Sequence, residues 1–295
     1  MRRYGFRLCL ICFMSGCAVS RQQAPAPTQV PPVYLNHLSL VLDRQTYDDI
    51  LHSDFLRDQF AGFSNITTVD GEGQSWTGTY IWGEHTYIEL LAPFGDFSVG
   101  DVGIGLGVEQ EGRIDTIYNI FKDLFGERAT KDLRRRRTGE KEIPWFYEVS
   151  VDYGDESSDF ADWVMEYHRD YLKERYPDAE SGENGITRRQ ALLRSFKSER
   201  YLEDVYEVTV ALSEKQASQF VYELRALGYK VEERGGRREC IGPDIRFVVI
   251  PRSPSAAATA GLKMRLLHPK EGQEVLRFGS KSELILQGRQ ATWIF

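Results

Sequence analysis

The sequence predicts an α+β protein that repeats a strand–helix–strand–strand–strand unit. From Tyr34 to Leu42 the apolar side chains alternate, which is typical of a half-buried strand. From Thr46 to Phe60 the apolar spacing becomes helical, and three short strands follow. The same order of elements begins again at Asp101 and at Asp204, and its period of roughly 65 to 100 residues is far too long for a solenoid. We therefore expect mixed sheets packed against helices.

The composition is that of an ordinary globular chain, with 295 residues of which 37 are basic and 44 acidic. No run of about 18 apolar residues occurs, which excludes a polytopic membrane protein. The net charge is −7, and no basic stripe interleaved with aromatic residues offsets it. Nucleic acid is therefore not an expected partner.

The N-terminus predicts export. Residues 1–16, MRRYGFRLCLICFMSG, combine a basic start, a short apolar run and small residues, as a secretory signal peptide does. The segment Met14-Ser15-Gly16-Cys17 resembles the bacterial lipobox, where cleavage precedes a cysteine that receives lipid such as palmitate. This resemblance implies an envelope lipoprotein, anchored to the membrane through Cys17 and facing the periplasm from the outer membrane in a two-membrane source. The alternative is a plain signal peptide followed by an incidental cysteine.

Residues 17–33 are rich in small residues and proline and predict an extended tether. Cleavage would leave Cys240 as the single cysteine of the folded part, so we expect no intramolecular disulfide. Loss of three signal arginines leaves 34 basic against 44 acidic residues, a net charge of −10. Acyl chains, and not attraction to anionic lipid, would then hold the protein at the membrane.

Each unit can be assigned element by element. The first unit, 34–98, has the strand and helix described above, then strands near 63–69, 76–82 and 85–91. The second unit, 99–175, has a strand at 101–109, a helix at 113–125, and strands near 127–135, 144–152 and 161–168. A crossing segment with one helix near 187–197 occupies 176–203. The third unit, 204–295, has a strand at 204–212, a helix at 214–227, strands near 229–234, 244–250 and 261–267, and a hairpin over 275–278 and 284–286.

This element order, together with a histidine in Leu35-Asn36-His37-Leu38 and a glutamate in Tyr87-Ile88-Glu89-Leu90, resembles the vicinal oxygen chelate superfamily of glyoxalases, extradiol dioxygenases and bleomycin-resistance proteins. More narrowly, the chain looks like an uncharacterised group of bacterial glyoxalase-like proteins, through Tyr34-Leu35-Asn36-His37, Gly78-Thr79-Tyr80-Ile81 and Trp163-Val164-Met165-Glu166-Tyr167. The resemblance implies that two repeats curl their sheets into one cup with helices outside. It also implies metal ligands on the first and fourth strands of each repeat.

Strand alternation gives these residues a direction. His37 lies opposite Leu38 and Leu40, so its ring is expected to point away from the helix and into the cup. We expect Tyr87, Glu89 and Glu166 to line the same cup. His37 and the two carboxylates could hold a single divalent metal ion such as iron, manganese, nickel or zinc. The alternatives are a hydrogen-bonded strand histidine and ion pairs with arginines of the run 134–137.

Gly103 departs from the expected ligand pattern. Aligning Val41-Leu42-Asp43 with Gly107-Val108-Glu109 places Gly103 where the first strand of the second repeat should supply a ligand. Gly103, Gly105 and Gly107 share one strand face without side chains, which marks a close approach of another group. They either make room for a ligand or pack tightly against the third repeat.

Other catalytic patterns are missing from the sequence. It has no Gly-x-Ser-x-Gly elbow, phosphate loop or dinucleotide fingerprint, and Cys240 has no nearby histidine. Two hypotheses follow for function. The first is a glyoxalase-like lipoprotein whose cup binds a small molecule or another protein without catalysis. The second is a metal-dependent lyase, isomerase or dioxygenase that acts on a substrate with adjacent oxygens.

Overall fold

A computed structural model describes residues 29–154, 159–175, 185–253 and 258–295. The predicted signal peptide, Cys17 and most of the predicted tether lie outside these ranges. The strands are β1 (Tyr34–Val41), β2 (Gly62–Val69), β3 (Ser75–Trp82), β4 (Tyr87–Leu91), β5 (Val102–Gly107), β6 (Ala129–Thr138), β7 (Lys141–Val151), β8 (Phe160–Tyr167), β9 (Leu202–Leu212), β10 (Lys230–Arg234), β11 (Arg237–Ile241), β12 (Arg246–Pro251), β13 (Thr259–Phe278) and β14 (Ser282–Ile294). The α-helices are α1 (Arg44–Leu51), α2 (Arg113–Phe125), α3 (Arg169–Arg175), α4 (Arg188–Leu192) and α5 (Glu214–Ala226).

The first two units form one curled sheet. Its strand order is β2-β3-β4-β1-β5-β8-β7-β6, in which β1 and β5 pair antiparallel and join the units. The edge strands β2 and β6 approach each other at one end, where Asp70 bridges to Arg136 and the amide of Gly71 donates to the carbonyl of Arg135 over 3.0 Å. The sheet is therefore a half-barrel whose two edges meet at one end. Together with the helices on its outer side, it confirms the predicted α+β fold class.

Strand alternation sets the two faces of this sheet. Leu38, Leu40 and Leu42 are at most 8% exposed and share one core with Tyr47 and Ile50 of α1. That arrangement confirms the predicted leucine face. The apolar residues of β5 pack into the same core with α2, so both helices cover the convex side and leave the opposite face to the cup.

The first predicted helix is shorter than expected. Helix α1 begins after Asp43, whose carboxylate accepts the backbone amide of Thr46 over 3.0 Å as an N-cap. It ends at Leu51, and a separate π-helical turn covers Leu56–Phe60. Leu56 and Phe60 are both fully buried, so the apolar spacing continues across the break.

The third unit forms a second sheet in the order β10-β11-β12-β9-β13-β14. The prediction missed β11, so its assignment of 261–267 as the fourth strand of this unit is wrong: the fourth strand is β12, and 261–267 belongs to β13. The prediction also divided β13 into two strands. The strand that runs parallel to β9 is β12, whereas β13 pairs antiparallel with β9 as β5 does with β1. Lys263 accordingly lies opposite Glu207 and forms a 2.7 Å ion pair with it.

The crossing segment 176–203 carries the short α4, where a longer helix near 187–197 was predicted, and α3 at the end of the second unit was not predicted. The Arg188 guanidinium of α4 is buried between the units. It meets Glu109 at 2.8 Å and Asp244 at 2.6 Å and donates to the carbonyl of Leu35 at 2.5 Å. Among the described residues, no helix has the length and apolar character needed to cross a membrane.

Candidate functional site

The concave face of the half-barrel encloses a cavity of about 590 Å³. This volume lies in the range of about 300 to 1,000 Å³ that is usual for small-molecule sites. Twelve of its 33 lining residues are aromatic, namely Trp76, Tyr80, Trp82, Tyr87, Phe94, Phe97, Trp145, Phe146, Phe160, Trp163, Tyr167 and Tyr171. His37, Glu89 and Gly103 line the same cavity. The structure thus places four of the predicted site residues, His37, Tyr87, Glu89 and Gly103, around one space.

His37 points into the cavity as strand alternation predicts. Its ring stacks on Tyr87 with centroids 4.5 Å apart and meets the edge of Trp163 at 5.3 Å. Burial lowers the pKa of His37 to about 3, so the ring is neutral at physiological pH. Nδ1 lies 3.0 Å from Oδ1 of Asn36, and that contact assigns the proton to Nδ1 and leaves Nε2 as an acceptor.

Glu89 is a buried carboxylate at the wall formed by β3 and β4. Its Oε1 accepts the hydroxyl of Tyr80 at 2.6 Å and the indole N–H of Trp76 at 3.0 Å. Burial raises the pKa of Glu89 above its ordinary value, while these two donors lower it. Gly78 lies beside this group, since an added Cβ there would stand 3.1 Å from Oε1.

Glu166 does not belong to the cup, so its predicted role as a metal ligand is wrong. Its carboxylate accepts the backbone amides of Gly112 at 2.8 Å and Ile114 at 2.9 Å. These amides open helix α2, where the N-cap residue is Gly112 and has no side chain of its own. Glu166 therefore caps α2 from the convex side of β8.

The glycine row of β5 is packed against cup residues and not against the third unit. A Cβ on Gly105 would lie 2.4 Å from Cε1 of His37, and one on Gly103 would lie 3.1 Å from the Trp163 ring. Gly105 thus provides the space in which the His37 ring lies, and its predicted direct contact with a ligand is not supported. Gly107 has no such constraint, because its nearest neighbour would be 3.5 Å away.

Matching hydrogen bonds relate the two units. The amide of Leu42 donates to Leu91 at 2.8 Å, and the amide of Val108 donates to Met165 at 3.0 Å. Leu42 therefore corresponds to Val108, and five residues earlier His37 corresponds to Gly103. Leu91 likewise corresponds to Met165, and two residues earlier Glu89 corresponds to Trp163. Two of the four positions expected to carry metal ligands therefore hold a glycine and a tryptophan.

The remaining donors do not fit the implied metal. Catalytic zinc sites have three protein ligands and non-haem iron sites have two histidines and a carboxylate, whereas this cup offers His37 and Glu89. One oxygen of Glu89 already accepts two hydrogen bonds. Across the described ranges, no group of three or more His, Cys, Asp and Glu side chains is arranged to hold a metal ion.

The arginine run 134–137 lies along β6. Arg134 forms two hydrogen bonds to Glu148, at 2.9 and 3.0 Å, and Arg135 lies 3.6 Å from Glu142. The Arg136 guanidinium lies over the rings of Trp145 at 5.1 Å and Tyr171 at 5.8 Å. In the described residues none of these arginines forms an ion pair with Glu89.

Sequence reasoning missed the aromatic wall. Trp76 and Trp82 line the cavity but were not singled out, and Tyr80 and Trp163 were used only within the motifs of the family resemblance. Tyr80 and Trp82 share one face of β3, and this alternation could have identified them. The counterpart of Glu89 in β8 depends on strand register, which the sequence does not show.

Cys240 is buried in the core, and burial raises the pKa of its thiol to about 11. It is the free cysteine of the described residues, and its surroundings disfavour the thiolate that a nucleophile requires.

The fold and the cavity define an α+β protein whose first two units form a half-barrel cup. The family model "Family of unknown function (DUF5829)" matches residues 35–295, and the chain belongs to this family. No curated protein matches the sequence.

Solved structures with a similar fold include a hypothetical protein from Staphylococcus aureus. It is 13% identical with a TM-score of 0.53, over 83% of this chain and 95% of that chain. An extradiol ring-cleaving dioxygenase from B. fuscum is 11% identical with a TM-score of 0.39, over 83% of this chain and 59% of that chain. A variant of 4-hydroxymandelate synthase from Streptomyces coelicolor is 15% identical with a TM-score of 0.38, over 77% and 66% of the two chains. These similarities concern the fold and carry no functional assignment.

Proposed function

We propose that this protein binds a small organic molecule in the cup of its first two units and does so without a metal-dependent reaction. The observation that carries the proposal is the cavity of about 590 Å³, whose surface is mostly apolar and whose wall contains twelve aromatic side chains. Large apolar pockets with few convergent polar groups are the usual form of small-molecule sites. Most of the ligand surface would be buried against rings.

The donor set favours binding over the alternative of a metal-dependent lyase, isomerase or dioxygenase. Gly103 and Trp163 occupy two of the four positions where the superfamily would place ligands, and Glu166 is used to cap α2. The Trp163 indole N–H is buried without a hydrogen-bond partner among the described residues. A ligand acceptor in the cup would satisfy it.

The experiment is a fragment screen by ligand-observed NMR with untagged protein. Ala161 lines the cavity, so Ala161→Trp is expected to narrow it and to weaken the fragment signals. Asn119→Trp adds the same side chain at an exposed position of α2 and should leave them unchanged. A screen without hits, or hits whose signals are unchanged in Ala161→Trp, would contradict the proposal.

We also propose that the protein is anchored in the cell envelope through lipid on Cys17. The support is the lipobox-like sequence and the proline-rich segment that follows it. Expression of the full chain with labelled palmitate should give a labelled protein in the membrane fraction. Cys17→Ser should lose the label and appear in the soluble fraction, whereas an unlabelled wild-type protein would contradict the anchor.

A further inference from the structure

We propose that the cup selects organic cations, namely monocationic amines with an apolar body of aromatic size. This inference rests on the proposed small-molecule function and specifies the ligand class. It is drawn from one buried carboxylate, the rings around it and the excess of acidic over basic side chains in the cavity.

The Glu89 carboxylate is buried in the cavity wall and lacks a counter-ion among the described residues. It is 8% exposed, and its two hydrogen bonds come from neutral donors, Trp76 and Tyr80, on a single oxygen. Within the described residues, no lysine, arginine or histidine forms an ion pair with it, and Oε2 accepts no hydrogen bond. A buried carboxylate is stabilised by a cationic partner, and a ligand ammonium in the cavity would supply one.

The aromatic wall next to Glu89 suits a cation as well. The rings of Tyr80, Trp82 and Tyr87 form a cluster with centroid separations of 4.9 to 5.9 Å. Faces of tryptophan and tyrosine attract ammonium groups within about 6 Å through the ring quadrupole. His37, which stacks on Tyr87, is neutral and therefore does not neutralise the cavity.

Two of the three arginines that line the cavity are paired with acids. Arg134 is paired with Glu148 through two hydrogen bonds, and Arg135 lies beside Glu142. Arg136 forms no ion pair among the described residues and its buried Nε has no hydrogen-bond partner, but its guanidinium lies over the rings of Trp145 and Tyr171 and not beside Glu89. The acidic side chains that line the cavity outnumber these arginines and include Asp70, Asp96, Asp101 and Asp159. The field inside the cup therefore favours a positive ligand.

The test compares three ligands that share an indole body: tryptamine, which is cationic, tryptophol, which is neutral, and indole-3-acetate, which is anionic. Calorimetric titration of the wild-type protein at pH 7.5 should show tryptamine binding about tenfold tighter than tryptophol, and indole-3-acetate weakest. Glu89→Gln keeps an oxygen for Trp76 and Tyr80 but removes the charge. It should weaken tryptamine about tenfold and leave tryptophol within about twofold.

Glu127→Gln is the control, because Glu127 is an exposed glutamate outside the cavity lining and is paired with Lys122. It should change tryptamine affinity by less than about twofold. Equal binding of tryptamine and tryptophol, tighter binding of indole-3-acetate, or equal effects of the two glutamine variants would each overturn the inference. If Glu89→Gln does not fold, the ranking of the three ligands on the wild-type protein decides.

The two proposals fail separately. If other fragments bind in the NMR screen but tryptamine does not, the preference for cations is overturned and the ligand-binding function stands. If no fragment binds at all, the ligand-binding function fails together with it.

Discussion

At the scale of single residues, the position of the His37 ring depends on the absence of a side chain at Gly105. The ring occupies the space above Gly105, and a Cβ there would come within 2.4 Å of it. Gly105→Ala should therefore displace the ring and destabilise the protein by about 1 to 3 kcal/mol. Urea denaturation measures the effect.

Gly107→Ala on the same strand face is the control, because its Cβ would meet an ordinary contact at 3.5 Å. It should cost no more than about 0.5 kcal/mol, since alanine also restricts the unfolded chain. Equal destabilisation by the two variants would show that the His37 ring does not depend on Gly105.

Glu166 provides a second test at this scale. Glu166→Ala removes the acceptor of two backbone amides at the start of α2 and should lower the free energy of unfolding by about 1 to 2 kcal/mol. Fragment binding in the cup should persist. Glu111→Ala, at an exposed ion pair with Arg169, should have a smaller effect of less than about 1 kcal/mol. Loss of ligand binding in Glu166→Ala would return this residue to the site.

At the scale of elements, an acid pair joins β8 to α5. Asp162 and Glu223 are both buried, and the hydroxyl of Tyr153 donates to Asp162. Burial raises the pKa of Asp162 to about 6 and the pKa of Glu223 well above its usual value. The folded state thus binds more protons than the unfolded state above pH 4, so stability should fall as pH rises from about 4 through 6.

Glu223→Gln removes one of the two carboxylates that bind a proton in the folded state, while it keeps the shape of the side chain. At pH 8 it should raise the free energy of unfolding by on the order of 1 to 2 kcal/mol and flatten the fall in stability with pH. Denaturation series between pH 4 and 8 give this slope. Asp123→Asn, at an exposed position of α2, should keep the wild-type slope. An unchanged slope in Glu223→Gln would show that the pair does not control it.

The elements that could be predicted are those with clear periodicity. Strands β1 and β5 and helices α2 and α5 have regular apolar faces, and their positions follow from spacing. Strand β11 begins with charged residues directly after a glycine turn, and its pattern carries no apolar alternation. Strand β13 contains register shifts between Arg265 and Gln273, which make one long strand look like two.

The same limit applies to the site. Alternation assigned His37 to the cup, because its strand has one clearly apolar face. Alternation places Trp163 and Glu166 on opposite faces of β8, but both faces carry apolar residues, so it could not show which of the two faces the cup. That choice depends on the pairing of β5 with β8 and on the start of α2, which are contacts distant in sequence.

At the scale of the whole molecule, Arg188 links the units. Its buried guanidinium lies between Glu109 of the second unit and Asp244 of the third. Arg188→Ala would leave two acids without their partner and should cost about 3 to 5 kcal/mol. Arg189→Ala removes an ion pair that the exposed Arg189 side chain forms with Glu84, and it should cost less than about 1 kcal/mol. Similar costs for both variants in chemical denaturation would show that Arg188 does not stabilise the contact between the units.

The central claim is that the cup is a site for an organic ligand and not a metal centre. Elemental analysis after purification without a histidine tag, followed by dialysis against iron, manganese, nickel and zinc ions in turn, tests it most directly. We expect less than about 0.1 metal ion per chain, since two side-chain donors hold a metal weakly. One ion per chain that is lost in both His37→Ala and Glu89→Gln would contradict the claim and favour the metal-dependent enzyme.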